Sequence, residues 1–229
     1  MQTKEITFNI SRFKAGFIDP ERLATYVVSV REDMTVLDVL EKIRLEQEPT
    51  LVYRHSCHHG SCGTCACIVN ETERLACATR VWDLEEETVT LAPLRGFGRI
   101  ADLAIDAGPV FQDISPAWTC LQPAEAIDKT QPAFGTANRL RFENCIECGS
   151  CVSACPVSQG AGGFMGPAAL AAIHREMVKS PDKKEELLRL AGGKRGEHLC
   201  QRALACSRVC PSNVYPARHI ADLRRTLKK

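Results

Sequence analysis

The sequence of 229 residues predicts an α+β protein built from two domains. Three observations favour this fold class. Apolar residues alternate in the first hundred residues, as in half-buried strands, whereas after Pro167 they recur with helical spacing. Twelve of the thirteen cysteines form two groups, one in each region, and Cys120 stands alone between them. We predict a strand-rich domain over residues 1–103 and a helical domain over residues 104–229.

The first domain opens with two predicted strands and a helix. Residues 5–13 alternate polar and apolar side chains, and residues 25–30 are β-branched and aromatic. Thr35 is a predicted N-cap with Asp38 at the capping-box position, and the apolar stripe over residues 36–45 predicts a helix. Three short strand candidates follow, at residues 65–69, 74–79 and 87–91. This order is typical of a β-grasp fold.

The second domain is predicted to be helical. Pro167 suits the first turn of a helix that continues through residues 168–178. A second helix is predicted over residues 182–190, ended by Gly192-Gly193, and a third from Pro216 to the C-terminus.

Composition excludes several classes of protein. The formal net charge of +1 gives no support for nucleic-acid binding, which favours a strongly basic face. Residues 1–10 lack the apolar segment of a signal peptide. No apolar run reaches the roughly 18 residues that a membrane span needs. We expect a chain that is soluble or reaches a membrane only through partners, and cysteines that bind metal rather than form disulfides.

The first cysteine group has the spacing C-x4-C-x2-C-x11-C, formed by Cys57, Cys62, Cys65 and Cys77. This is the plant-type ferredoxin pattern that holds a [2Fe–2S] cluster. Small residues between the cysteines let backbone N–H groups approach the sulfurs. The alternative is a structural zinc site, which also accepts four thiolates but usually pairs two short cysteine knuckles.

Four other side chains near this loop are given no ligand role. With four cysteines available, the spacing leaves no need for imidazole ligands, and the histidines are predicted to be a polar part of the loop. Cys67, two residues past Cys65, is predicted to be a packed thiol. The histidines are His55, His58 and His59.

The second group contains a bacterial-ferredoxin run, C-x2-C-x2-C-x3-C-P, whose fourth cysteine binds the other cluster in two-cluster proteins. A later run matches it except that Ala203 replaces the second cysteine. We therefore expect one [4Fe–4S] cluster and, where only three thiolates remain, one [3Fe–4S] cluster. The alternatives are one cluster with spare thiols, or zinc. The expected ligands are Cys145, Cys148, Cys151 and Cys210 for [4Fe–4S], and Cys155, Cys200 and Cys206 for [3Fe–4S].

Sequence matches outside the cysteines indicate a family more specifically than the cysteine spacing does. With three clusters, residues 96–106 (GFGRIADLAID), 164–169 (FMGPAA) and His174-Arg175, the chain resembles the iron–sulfur subunit of succinate dehydrogenase and fumarate reductase over nearly its whole length. The resemblance implies electron transfer. A separate FAD flavoprotein subunit would interconvert succinate and fumarate, and electrons would pass one at a time through the clusters to or from a membrane quinone.

The resemblance also implies where the chain works. It implies no catalytic residue and no substrate site on this chain, membrane-anchor subunits that hold the quinone, and a place at the cytoplasmic side of a prokaryotic inner membrane. Pro156, Gln201 and Arg224 fall at quinone-proximal positions. The Trp and His that quinone-reducing members often carry are absent there, which favours the fumarate reductase branch. For Arg224, the alternative is an exposed residue on a basic C-terminal helix.

A related role remains open from the sequence. The chain could serve a flavoprotein reductase with a different substrate, or a soluble thiol/disulfide partner.

Overall fold

The computed structural model describes residues 2–115, 144–159 and 163–228. Cys120 and most of the segment between the two cysteine groups lie outside these residues. Strands and α-helices, in chain order, are β1 (Thr3–Lys14), β2 (Ile18–Arg31), α1 (Val36–Glu46), β3 (Ala66–Val69), β4 (Thr72–Leu75), β5 (Thr88–Ala92), β6 (Arg99–Ala101), β7 (Ala104–Ile105), α2 (Gly108–Phe111), α3 (Ser150–Ser153), α4 (Gly166–Lys179), α5 (Lys184–Ala191), α6 (Ala205–Arg208) and α7 (Pro216–Leu227).

These elements belong to two compact units. One comprises Met1–Ala107 and Ile146–Ala154, and the other comprises Gly108–Cys145 and Cys155–Lys229. The predicted domains, 1–103 and 104–229, differ from this division because residues 146–154 pack with the first unit. Ser153 shows why: its Oγ donates to the buried Glu73 carboxylate (2.8 Å) and accepts from Arg95 N–H (2.9 Å).

The first unit is built on a five-stranded sheet in the order β2-β1-β5-β3-β4. β1 and β2 form a long antiparallel hairpin, and β1 pairs with β5 in parallel. Alternation along β1 places Ile6, Phe8 and Ile10 in the core, at 0–1% exposure. The predicted alternation of the first strand is therefore confirmed, and the order predicted for a β-grasp fold is found.

Helix α1 confirms its predicted cap. Thr35 Oγ1 accepts from Asp38 N–H (3.2 Å), and the Asp38 carboxylate accepts from Thr35 N–H (2.8 Å), so two N-terminal donors are satisfied. The apolar stripe is buried through Ile43, but Leu45 is 75% exposed. Leu45, the last residue of the predicted apolar stripe, faces solvent because a stripe spaced at three and four residues turns away from the core there.

A buried polar cluster, here called the Arg12 network, ties β1 to the β6–β7 turn and to the chain entering the cysteine loop. Arg12 donates to Asp102 (2.9 Å), to Tyr26 Oη (2.8 Å) and to Thr50 Oγ1 (2.9 Å). Asp102 also accepts from the backbone N–H groups of Phe13 (2.9 Å) and Val52 (2.8 Å). Side-chain exposure is 1% for both members of the Arg12–Asp102 pair.

The second unit packs α4 against α5 and α7. Leu170 and Ile173 of α4 lie in one apolar core with Leu187, Ile220 and Leu223. The three predicted helices are confirmed, the second as a 3₁₀ turn (Pro181–Lys183) followed by α5. Helix α7 thereby presents one face to the cysteine-bearing segments that precede it.

Candidate metal centres

Four cysteines of the first group share one corner of the first unit. Cys57, Cys62 and Cys65 lie on the loop between α1 and β3. Cys77 lies in a 3₁₀ turn (Ala76–Ala78), not in a strand over residues 74–79 as predicted. Strand β4 ends at Leu75 because the chain folds back, with Ala76 N–H donating to the Cys65 carbonyl (3.2 Å). Cys77 N–H also donates to Cys65 Sγ (3.4 Å).

Backbone N–H groups surround these sulfurs. Gly60 N–H donates to Cys77 Sγ (3.2 Å), and the N–H groups of Ser61 and Cys62 donate to Cys57 Sγ (3.3 Å each). Such donors stabilise thiolate over thiol, and anionic sulfur is the form that binds iron. The loop therefore fits a cluster held by four thiolates.

Local environment separates the pKa values of the cysteines. Backbone N–H donors, that of His59 foremost, lower the pKa of Cys57 to about 6. Burial raises the pKa of Cys65 to about 12. Without metal, the buried thiols hold their protons, so metal binding at this loop releases protons and is favoured by higher pH.

Gly63 allows a close approach within this unit. Its φ is +71°, and a Cβ there would lie 2.6 Å from the Ile146 carbonyl oxygen and 2.7 Å from the Cys148 Cβ. Both the backbone conformation and the space therefore require glycine.

Cys67 lies in the interior of the first unit, and the loop histidines lie at its surface. Cys67 is 3% exposed within β3, and burial raises its pKa to about 12. The three histidine side chains are at the surface of the unit. The ring of His55 lies 3.0 Å from that of His58, measured between Nδ1 and Nε2.

Ligands expected for the [4Fe–4S] cluster are divided between the units. Cys148 and Cys151 belong to the first unit, whereas Cys145 and Cys210 belong to the second. Within the second, Val214 N–H donates to Cys210 Sγ (3.3 Å), the kind of contact found at the first group. This ligand set stays a prediction.

Three cysteines of the second unit border one cavity of about 370 Å³. Burial foremost, together with the nearby Cys155 and Cys200, raises the pKa of Cys206 to about 11. Ala203 lies on the same wall and offers no ligand atom. The structure therefore brings together the three expected [3Fe–4S] ligands and the three quinone-proximal candidates, which are Cys155, Cys200, Cys206, Pro156, Gln201 and Arg224.

Arg224 is partly buried and is not part of an exposed basic face. Its side chain is 16% exposed and forms an ion pair with Glu197, which is 8% exposed. The guanidinium also donates to the Cys200 carbonyl oxygen (3.1 Å). Burial raises the pKa of Cys200, and the positive charge of Arg224 opposes that rise.

Two features of this site were missed from sequence. Glu197 belongs to no recognisable sequence motif, and its partner Arg224 lies 27 positions away in the chain. The face of α7 that lines the cavity includes Ala217 and Ala221. These residues are spaced by four and three positions from one another and from Arg224, a spacing that could have indicated this face from the sequence.

A membrane-crossing helix is not found among the described residues; every helix there is too short or too polar.

Comparisons with known proteins place both cysteine groups in recognised modules. A model described as "2Fe-2S iron-sulfur cluster binding domain" matches residues 7–112. A model described as "4Fe-4S dicluster domain" matches residues 141–214. Both modules were predicted from the cysteine spacing, and both are confirmed.

Curated relatives extend the likeness along most of the chain. The fumarate reductase iron-sulfur subunit of Wolinella succinogenes is 33% identical, covering 88% of this chain and 88% of its own. The mitochondrial succinate dehydrogenase iron-sulfur subunit of Dictyostelium discoideum is 28% identical, covering 97% of this chain and 82% of its own. One subunit of the fumarate reductase (CoM/CoB) of Methanothermobacter marburgensis is 30% identical over 96% of this chain, but only 44% of that protein is covered.

One solved structure shares the fold. A chain of the Mycobacterium smegmatis Sdh1 complex in the apo form superposes with a TM-score of 0.81 at 23% identity, covering 99% of this chain and 96% of that one.

Proposed function

This chain belongs to the family of iron–sulfur subunits of succinate dehydrogenases and fumarate reductases, and on that premise we propose that it carries electrons between an FAD flavoprotein subunit and a membrane quinone. In this role the chain holds no substrate, and its residues position clusters and exclude water. Succinate or fumarate reacts on the flavoprotein.

Iron–sulfur clusters supply one-electron carriers whose potentials depend on ligands, hydrogen bonds and burial. We assign [2Fe–2S] to Cys57, Cys62, Cys65 and Cys77, since N–H donors already face their sulfurs. Each donor stabilises negative charge on sulfur and so favours the reduced state. We assign [4Fe–4S] to Cys145, Cys148, Cys151 and Cys210, and [3Fe–4S] to Cys155, Cys200 and Cys206.

The observation that carries the proposal is the cavity beside the last three cysteines. It is walled by apolar side chains such as Phe164 and Ile220 and by Arg224, which forms a partly buried ion pair with Glu197. The cluster bound by the three cysteines would fill the part of this cavity next to their sulfurs. The remaining apolar space beside Arg224 suits an apolar ring with one or two polar oxygens, which describes a quinone. Arg224 provides a fixed positive charge where the ring would gain negative charge.

Partners follow from the same premise. We place the chain at the cytoplasmic side of a prokaryotic inner membrane, attached through membrane-anchor subunits and bound to the flavoprotein. Support comes from the kinship with fumarate reductase and succinate dehydrogenase subunits and from the cavity, which borders the proposed third cluster.

The ligand count provides the test. Ala203→Cys in the purified complex should convert the three-iron centre to [4Fe–4S], abolish its nearly isotropic EPR signal in the oxidised state, and raise iron from about nine to about ten per chain. Ala205→Cys, an identical change on the same cavity wall, should leave the signal unchanged. An unchanged signal in both variants would contradict the ligand assignment.

A second candidate function is electron exchange with a soluble thiol/disulfide partner. The 30% identity to one subunit of the CoM/CoB fumarate reductase favours it, although this chain covers only 44% of that longer protein. Fumarate reduction by the purified complex separates the two. A reduced quinone analogue should support turnover under the first proposal, whereas thiols alone should support it under the second.

A further inference from the structure

A group of metal-ligating side chains lies outside all three proposed cluster sites. Glu41 of α1 faces His55 and His58 of the cysteine loop, all within the first unit. The three side chains are 31%, 37% and 43% exposed, so an ion from solvent can reach them. None is needed for a cluster already supplied with four cysteines.

The distances between the three ligand atoms match a metal ion. Glu41 Oε1 lies 3.9 Å from His55 Nδ1 and 3.7 Å from His58 Nε2, and the two nitrogens are 3.0 Å apart. A circle through three points with these separations has a radius of about 2.1 Å. Zinc–nitrogen bonds measure about 2.0–2.1 Å and zinc–carboxylate bonds about 2.0–2.2 Å. An ion at the centre of this circle is at bonding distance from all three atoms, and small shifts of these exposed side chains would bring its angles close to tetrahedral.

The backbone places one ligand in an uncommon conformation. His58 has φ of +61°, which non-glycine residues adopt rarely. In this conformation its Nε2 lies next to His55 Nδ1. Residues so held often serve a site rather than the fold.

We propose that Glu41, His55 and His58 bind a zinc ion that fastens helix α1 to the cysteine loop. Two imidazoles and one carboxylate suit Zn²⁺ better than Mg²⁺ or Ca²⁺, which prefer oxygen ligands. The fourth position stays open to water. His58 directly follows Cys57, so the ion would restrain the loop that carries three of the four [2Fe–2S] ligands.

Zinc titration of the iron-loaded full-length chain, under anaerobic conditions, tests the site. Calorimetry should detect one Zn²⁺ per chain, and Glu41→Gln and His58→Gln should each weaken binding at least tenfold. His59→Gln is the matched control, since His59 lies on the same loop outside the triad, and its affinity should equal the wild-type value. Iron measured before and after titration should stay constant.

Two results would overturn the site. Equal zinc affinity in wild type and Glu41→Gln would show that the triad is only a hydrogen-bonded histidine pair beside a carboxylate. Zinc uptake matched by iron release in every variant would show binding at the cysteines instead. The EPR signals of the three clusters provide a separate readout, so that loss of the zinc site and loss of cluster assembly remain distinguishable.

Discussion

The substitution Asp102→Asn should strongly destabilise the first unit, although the two side chains are nearly the same size. The substitution keeps the shape of the side chain but removes the anion buried against Arg12, and both side chains are 1% exposed. Breaking a buried pair costs about 3–5 kcal/mol, because the remaining charge is left in a poorly solvated site. Because Glu48 still contacts Arg12 at 3.0 Å, we expect a loss at the lower end of this range, about 3 kcal/mol, from removal of the Asp102 charge alone.

Hydrogen bonding adds to this loss. One carboxylate oxygen of Asp102 accepts from Val52 N–H, at the chain entering the cysteine loop. An amide nitrogen placed there would oppose one donor to another, at a cost of about 1–3 kcal/mol. The two losses together amount to about 4–6 kcal/mol, and for a unit of this size each kcal/mol lowers Tm by about 4 °C, so a fall of roughly 16–24 °C is expected.

Thermal bleaching of the visible cluster absorbance, at one scan rate for all variants, measures the effect. Asp33→Asn is the matched control: it removes the same charge from an ion pair with Arg31, whose side chains are 52% and 58% exposed. Fully exposed pairs contribute little to stability, so its Tm should stay close to the wild-type value. Equal Tm values for the two variants would refute the reasoning. Arg12→Met combined with Asp102→Asn should recover part of the loss, because the uncompensated guanidinium is removed.

Gly63→Ala should lower Tm and the iron content of the first cluster, because the new Cβ would clash with backbone at 2.6 Å; Gly16→Ala, at a similar φ of +75° with nothing within 4 Å, should retain full iron. Stability should also fall as pH drops from 6.5 towards 4. His174 and His219 are buried with their Nδ1 atoms 2.8 Å apart, and burial lowers the pKa of His219 to about 4. Because the unfolded state binds more protons than the folded state as the pH falls, roughly 2 kcal/mol of stability is lost between pH 7.5 and pH 5. Melting curves across that range measure it, and a slope that His219→Gln leaves unchanged would contradict this cause.

Local signals in the sequence predicted the local parts of the structure. The alternation in β1 and the capping box of Thr35 each depend on residues within a few positions, and both are found. The Cys77 turn differed from prediction, because the residues that end β4 read equally well as strand. Bends of this kind are decided by pairing with a distant segment, here the carbonyl of Cys65.

Contacts between distant segments were beyond sequence reasoning. Cysteine spacing was informative because iron–sulfur clusters constrain it directly. Nothing comparable constrains the spacing of Arg224 and Glu197, or of Glu41 and His58, so these pairs became visible only in three dimensions. The loop histidines were predicted to be a polar surface, which describes their exposure but not their mutual geometry.

The return of residues 146–154 to the first unit has a consequence for synthesis on the ribosome. Ala154 is synthesised 47 residues after Ala107. At about 5–20 residues per second, residues 146–154 therefore become available to the first unit only after roughly 2–9 s. During that interval the carboxylate of Glu73 lacks its Ser153 partner, and the surface around Gly63 is uncovered. A gene cut after codon 107 would therefore encode an unfinished unit, and iron delivery to the first cysteine group is best timed after the second group has begun to emerge.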